Sequence, residues 1–337
     1  MEKKRTVKRI DAHAHIVADD PEMVAFLDER ELKVHNISLV PLGADDWYTE
    51  GGCRAYYELA VKYPDHFAWC TTFDLPTFDD PNYVSDGIAQ LERDFADGAT
   101  GCKVWRNIGM EVRKPSGEYI LIDDPLFEPI FSYIASAGKS LLMHVGEPLA
   151  RWPGERDELA GRTGQKTPNY SVLKNVDYPG YWEQIEARDH VLERHPDLKV
   201  IGAHFGSLEH DLHEVAKRLD RYPNFAVDTG GRRRDLACQD RDTVRQFIID
   251  YQDRILWGMD QGTGDSRLCD FDDEKRAWFF NMMREGYAYE FNLYEGSGPV
   301  PVDQIEAQGL DLPDDVLEKI YYTNARTWYP GIFQKEA

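Results

Sequence analysis

The stretch "IDAHAHIVADD", Ile10–Asp20, places Asp11, His13 and His15 at alternate positions. In an extended strand residues i and i+2 share one face, so the spacing predicts that these three side chains point together into whatever the strand encloses. Two histidines so placed fit an ordinary half-buried strand as well as the first half of a metal site. The rest of the chain decides between them.

Seven further short apolar runs follow: "HNISLVPLG" (35–43), "FAWCTTFDL" (67–75), "TGCKVW" (100–105), "KSLLMHVGE" (139–147), "LKVIGAHFG" (198–206), "NFAVDTGG" (224–231) and "RILWGMDQG" (254–262). Segments of helical period lie between them, among them "YVSDGIAQLERDFADG" (83–98), "PLFEPIFSYIASAG" (125–138), "WEQIEARDHVLERHP" (182–196) and "LHEVAKRLDRYP" (212–223). Strand–helix alternation predicts βαβ units and a parallel sheet, and eight repeats fit a closed (β/α)8 TIM barrel. One α/β domain is therefore expected over residues 1–337. Two spacers exceed a plain βα connection: about Leu149 to Tyr181 after the fifth strand, and about Gly262 to Gln308 after the eighth. Both are expected as long loops at the end of the barrel where active sites form, acting as lids or pocket walls.

With 337 residues, 42% of them hydrophobic, the chain can bury a large core. A net charge of −22 repels phosphate backbones and argues against a nucleic-acid partner. No apolar run approaches the roughly 18–20 residues that span a bilayer. The basic start "MEKKRTVKRI" leads into a strand without an h-region, so no signal peptide is read and a cytoplasmic location is expected. Five cysteines (53, 70, 102, 238, 269) with no CxxC spacing suggest reduced thiols used for packing. His35, His66, His190, His195, His210 and His213 read as surface residues.

The remaining polar residues fall into a pattern. His144 closes the fifth predicted strand, His204 the sixth and Asp260 the eighth, each where an apolar run breaks into a glycine-containing loop. With His13 and His15 they converge on one barrel rim. Neutral imidazoles with a carboxylate suit a borderline divalent cation.

In order along the chain, "DAHAH", "GCKVW", "MHVGEP", "IGAHFGS", "WGMD" and "LEKIYYTNARTWY" resemble the amidohydrolase superfamily. The likeness is to its amidohydrolase-2 branch, which includes aminocarboxymuconate-semialdehyde decarboxylase and related lactonases and hydratases. The resemblance implies one divalent ion, zinc first and manganese or another ion as alternatives, held by His13, His15, His144 and Asp260. His204 would be the catalytic histidine beside it, and Asp260 would double as proton acceptor. Lys103 stands where two-metal relatives carry a carbamylated lysine; in the mononuclear arrangement expected here it remains an ammonium that binds an anionic substrate group. Trp105 and Arg106 extend a substrate wall. Glu147 contacts substrate, fixes a ligand, or faces solvent. Asp228 supports a ligand or forms a turn. "GRRR" (231–234) puts Arg232 forward as a carboxylate fork, with a solvated charge run as the plainer reading.

Activated water attacking an ester, lactone or amide of a small carboxylated molecule is the first functional expectation. Its alternative is non-oxidative decarboxylation of an unsaturated or aromatic acid, and a barrel that binds without turnover is the third. The partner is a small anionic molecule, with a homodimer allowed by the resemblance.

Overall fold

The computed structural model describes residues 7–155, 170–174, 177–262, 271–302 and 305–334. Nine parallel strands curl into one sheet: β1 (Arg9–His15), β2 (Leu32–Ile37), β3 (Phe67–Thr72), β4 (Gly101–Val104), β5 (Ser140–Met143), β6 (Lys199–Gly202), β7 (Phe225–Asp228), β8 (Ile255–Leu256) and β9 (Gln261–Gly262). They follow sequence order from β1 to β8, with β9 on the far side of β1. β8 and β9 are the two ends of one stretch that closes the ring. Between them the Trp257 carbonyl accepts from the Ala12 N–H at 3.0 Å, and the Asp260 N–H donates to the His13 carbonyl at 2.7 Å. The eight expected strands thus form a TIM barrel.

Every residue of β3, β4, β5 and β7 is buried. A parallel strand packed on both faces has no solvent side, which is why these segments read as continuous apolar runs. Helices cover the outside. The one at Leu212–Arg221 starts where the Asp211 carboxylate accepts from the His213 and Glu214 N–H groups, and it buries Leu212, Val215 and Leu219. Each such side chain contributes about 1.5–3 kcal/mol on full burial.

Two expectations change. Where it is described, the long spacer after the eighth strand is mostly regular structure. It contains a 23-residue helix, Asp273–Glu295, capped by Asp272, and an antiparallel hairpin of Pro299–Val302 and Ile305–Gln308. The aromatic run supplies the helix's buried stripe, Phe279, Phe280, Met283, Tyr287, Glu290, Leu293 and Tyr294, at three- to four-residue spacing. The spacer after the fifth strand falls partly outside the described residues. His35 is a core residue: β2 begins three residues before it, and its Nε2 meets Thr100 Oγ1 at 2.7 Å. Burial depresses its pKa to about 3. His195 is buried as well, 2.7 Å from Glu128.

Cys53, Cys70 and Cys102 are buried and unbridged, as packing thiols should be; Cys269 lies outside the described residues. No described helix is long and apolar enough to cross a membrane.

Candidate metal centre

The first strand does not alternate cleanly. Its register against β2 slips between Asp11 and Ala14, so Asp11 leaves the face that carries the histidines. The buried Asp11 carboxylate instead accepts from the Met259 N–H at 2.9 Å, the His13 N–H at 3.2 Å and the Tyr287 hydroxyl at 2.7 Å. Burial raises its pKa to about 6 in spite of these donors.

His13, His15 and Asp260 do converge. Asp260 Oδ1 lies 3.3 Å from His15 Nε2 and 3.6 Å from His13 Nε2. Asp228 fixes the first imidazole: Oδ2 is 2.8 Å from His13 Nδ1, and Oδ1 accepts from the His204 and Gly230 N–H groups at 2.8 and 3.0 Å. Burial works to raise the Asp228 pKa, but His13 and these donors prevail and hold it at about 2. Asp228 takes His13 Nδ1, so the other ring nitrogen, Nε2, is the one that faces the Asp260 carboxylate. Burial likewise opposes ionisation of Asp260, yet His13, His15 and His204 hold its pKa well below the ordinary range. The ligand atoms of His13, His15 and Asp260 lie close enough together to hold a divalent cation. Lys103 supplies one neighbour: it is fully buried, with Nζ 3.3 Å from His13 Nε2, and burial lowers its pKa.

His144 stands outside this trio and pairs with His204. The Gly230 carbonyl accepts from His204 Nδ1–H at 2.7 Å, which makes the Nε2 of a neutral His204 an acceptor. His144 Nδ1–H is its donor at 3.2 Å. Burial, first of all, drives both pKa values well below 6.5, so both rings are neutral. By elimination His144 Nε2 carries a bare lone pair, and that buried nitrogen meets no hydrogen-bond partner among the described residues. An orphaned imidazole nitrogen is what a metal ligand looks like without its ion. The residues therefore fit a divalent cation. The two sets join through His13 and His204, whose ring centroids are 4.9 Å apart.

His204 opens a run of four residues, His204–Ser207, all at positive φ. Non-glycine residues rarely adopt this left-handed conformation, and it persists only where the surroundings enforce it. Ser207 Oγ donates to the Val145 carbonyl at 2.6 Å, the Tyr181 hydroxyl donates to the Ser207 carbonyl, and the fully buried Arg188 donates to the Gly206 carbonyl. Gly202 permits the close return: a Cβ there would sit 2.7 Å from Gly206 Cα.

The expected substrate residues scatter. Trp105 lines a cleft of about 790 Å³ that starts at His15 and Gly262 and is walled by Val17, Leu39, Pro41 and Tyr56. Arg106 stacks on Trp105 at 4.6 Å, but its charge is shared with Glu147 at 2.9 Å and Glu111 at 3.1 Å. Glu147 also pairs with Arg151 at 2.9 Å, so two arginines neutralise it. Arg232 is only 8% exposed, with Nε 3.6 Å from the buried Glu209. Burial raises the Glu209 pKa. Sequence reading missed Glu209, Tyr287 and Arg188. Arg188 alone left a signal, occupying the apolar stripe of its helix with Ile185, Val191 and Leu192.

The amidohydrolase family model (Amidohydro_2) matches residues 10–331, and the chain belongs to that family. No curated protein sequence matches it. Among solved structures the fold is similar to 2,6-dihydroxybenzoate decarboxylase from Rhizobium, at TM-score 0.55 and 16% identity over 96% of this chain and 99% of that one. It is also similar to 5-carboxyvanillate decarboxylase from Novosphingobium aromaticivorans, solved with manganese, at TM-score 0.52 and 15% identity over 97% of each chain. 4-Oxalomesaconate hydratase from Rhodopseudomonas palustris matches at TM-score 0.50 and 14% identity, over 91% of this chain and 80% of that one.

Proposed function

We propose that this protein is a metal-dependent decarboxylase of a small aromatic or unsaturated carboxylic acid, with one divalent ion, zinc or manganese, held by His13, His15, His144 and Asp260. The orphaned Nε2 of His144 carries the metal reading. Decarboxylation replaces hydrolysis as the first choice because two of the fold's relatives are decarboxylases of aromatic acids, one of them with manganese. The cleft agrees with it. Trp105, Tyr56, Leu39 and Pro41 offer a flat apolar body the surface it needs.

A bound divalent ion would supply positive charge for the substrate's oxygens. The other roles belong to the chain. Arg232, desolvated and steadied by Glu209, binds the substrate carboxylate as an ionic fork. Decarboxylation breaks the bond to the carboxylate carbon, releases CO2, leaves an electron pair on the remaining carbon and requires one proton there. Asp260, 31% exposed at the rim and held ionised, is the group we assign to pass that proton from solvent water to the carbon. His204 and His144, both neutral, fix the hydrogen-bond pattern around it.

The test is to supply Mn²⁺- or Zn²⁺-loaded protein with 2,6-dihydroxybenzoate, related hydroxybenzoates and a lactone panel. CO2 release from an aromatic acid is the expected result. Lactone hydrolysis without CO2 would return the assignment to the hydrolases.

A further inference from the structure

Asp11 is fully buried two residues before His13, yet its carboxylate bonds backbone N–H groups and the Tyr287 hydroxyl and no histidine ring. Oδ1 accepts from two backbone groups far apart in the chain, the His13 N–H of β1 and the Met259 N–H in the stretch between β8 and β9. This is the seam where the barrel closes, and it is tight: a Cβ on Gly258 would lie 2.8 Å from His13 Cβ. Asp260 sits on it at φ +57, a left-handed conformation that a non-glycine residue holds only when its neighbours impose it. Three contacts impose it here: the Asp260 N–H on the His13 carbonyl at 2.7 Å, the Gly231 N–H on the Met259 carbonyl at 3.2 Å, and Asp11 on Met259 at 2.9 Å.

The other Asp11 oxygen is taken by Tyr287, whose buried hydroxyl donates at 2.7 Å. Tyr287 belongs to the helix Asp273–Glu295, which follows the eighth strand. That helix presses on the same seam, since a Cβ on Gly286 would lie 2.5 Å from Met259 Cε. Its ring is wedged between Phe26 and Trp257, with centroids 5.9 and 6.0 Å away, so the hydroxyl has little freedom to turn elsewhere.

We infer that Asp11 and Tyr287 are positioning residues: the Tyr287 hydroxyl orients a carboxylate that ties the ligand-bearing end of β1 to the backbone that presents Asp260. The helix is thereby a working part of the centre. This inference rests on the metal centre proposed above, and it assigns the pair to ligand geometry, apart from substrate binding. Outer partners of metal ligands commonly set affinity by 10–100-fold.

The experiment compares wild type with Tyr287→Phe, Asp11→Asn and Tyr294→Phe. Tyr294 is a buried tyrosine on the same helix whose hydroxyl lies towards Thr229 and makes no bond to Asp11, so its variant controls for loss of a hydroxyl. Two readouts are taken: Mn²⁺ affinity by competition with a chromophoric chelator, and the visible absorption of the Co²⁺-loaded protein, which reports ligand geometry. Tyr287→Phe and Asp11→Asn should bind Mn²⁺ at least about 10-fold more weakly and change the Co²⁺ spectrum, while Tyr294→Phe changes neither. If Asp11→Asn does not fold, Tyr287→Phe decides alone. A Tyr287→Phe protein with wild-type Mn²⁺ affinity and an unaltered Co²⁺ spectrum overturns the inference, even if its melting temperature falls. A wild type that takes up neither ion overturns the metal centre and this inference with it.

Discussion

At the residue scale the proposed metal centre rests on His144, whose tautomer is set by a chain of partners ending at the Gly230 carbonyl. Replacing it with alanine should weaken divalent-ion binding by more than the roughly 10–100-fold expected for an outer partner, as titration calorimetry would measure. Arg232 makes a separate claim. Arg232→Met should raise KM for a carboxylate substrate roughly 10–100-fold, the worth of a charge-assisted hydrogen bond, with metal stoichiometry unchanged. A fall in kcat alone would argue that Arg232 does not bind the substrate. His35 predicts a pH effect. Its folded pKa of about 3 lies below the usual 6.5, so the folded state takes up fewer protons than the unfolded one. Its contribution to stability is complete above pH 6.5 and is lost as pH falls towards 3. Between pH 6.5 and 5 the loss is about 2 kcal/mol. Urea midpoints at the two pH values should show it, and His35→Gln should flatten the slope.

At the scale of the element, the left-handed turn His204–Ser207 is the most demanding piece of backbone in the site. Gly206→Ala would place a Cβ 2.7 Å from Arg188 Nη1 at a position already at φ +65. The expected cost is about 1–3 kcal/mol, read as a lower denaturation midpoint with reduced activity. A variant as stable and active as wild type would show that the turn tolerates other geometries. The elements also show what the sequence could reveal. The strands were legible because burial on both faces leaves uninterrupted apolar runs, and His144, His204 and Asp260 were legible because each ends such a run. Asp11 was misplaced by a register slip that period-two reasoning cannot see. The Tyr287 and Glu209 contacts join segments far apart in the chain, and no local pattern announces them.

At the scale of the whole molecule, closing the ring brings β1 beside the β8–β9 segment, and with it His13 and His15 beside Asp260. The site exists only in the closed barrel. A bound ion should therefore stabilise the fold by mass action, raising the melting temperature as free Mn²⁺ rises above its dissociation constant. Thermal scans against metal concentration would follow this, and the Asp260→Ala protein should lose the dependence. The most direct measurement of the account is the number of divalent ions retained per chain after equilibrium dialysis, for wild type and for His144→Ala. One ion per wild-type chain and a clear loss in the variant is the predicted result. No ion on the wild type, or full retention without His144, would contradict it.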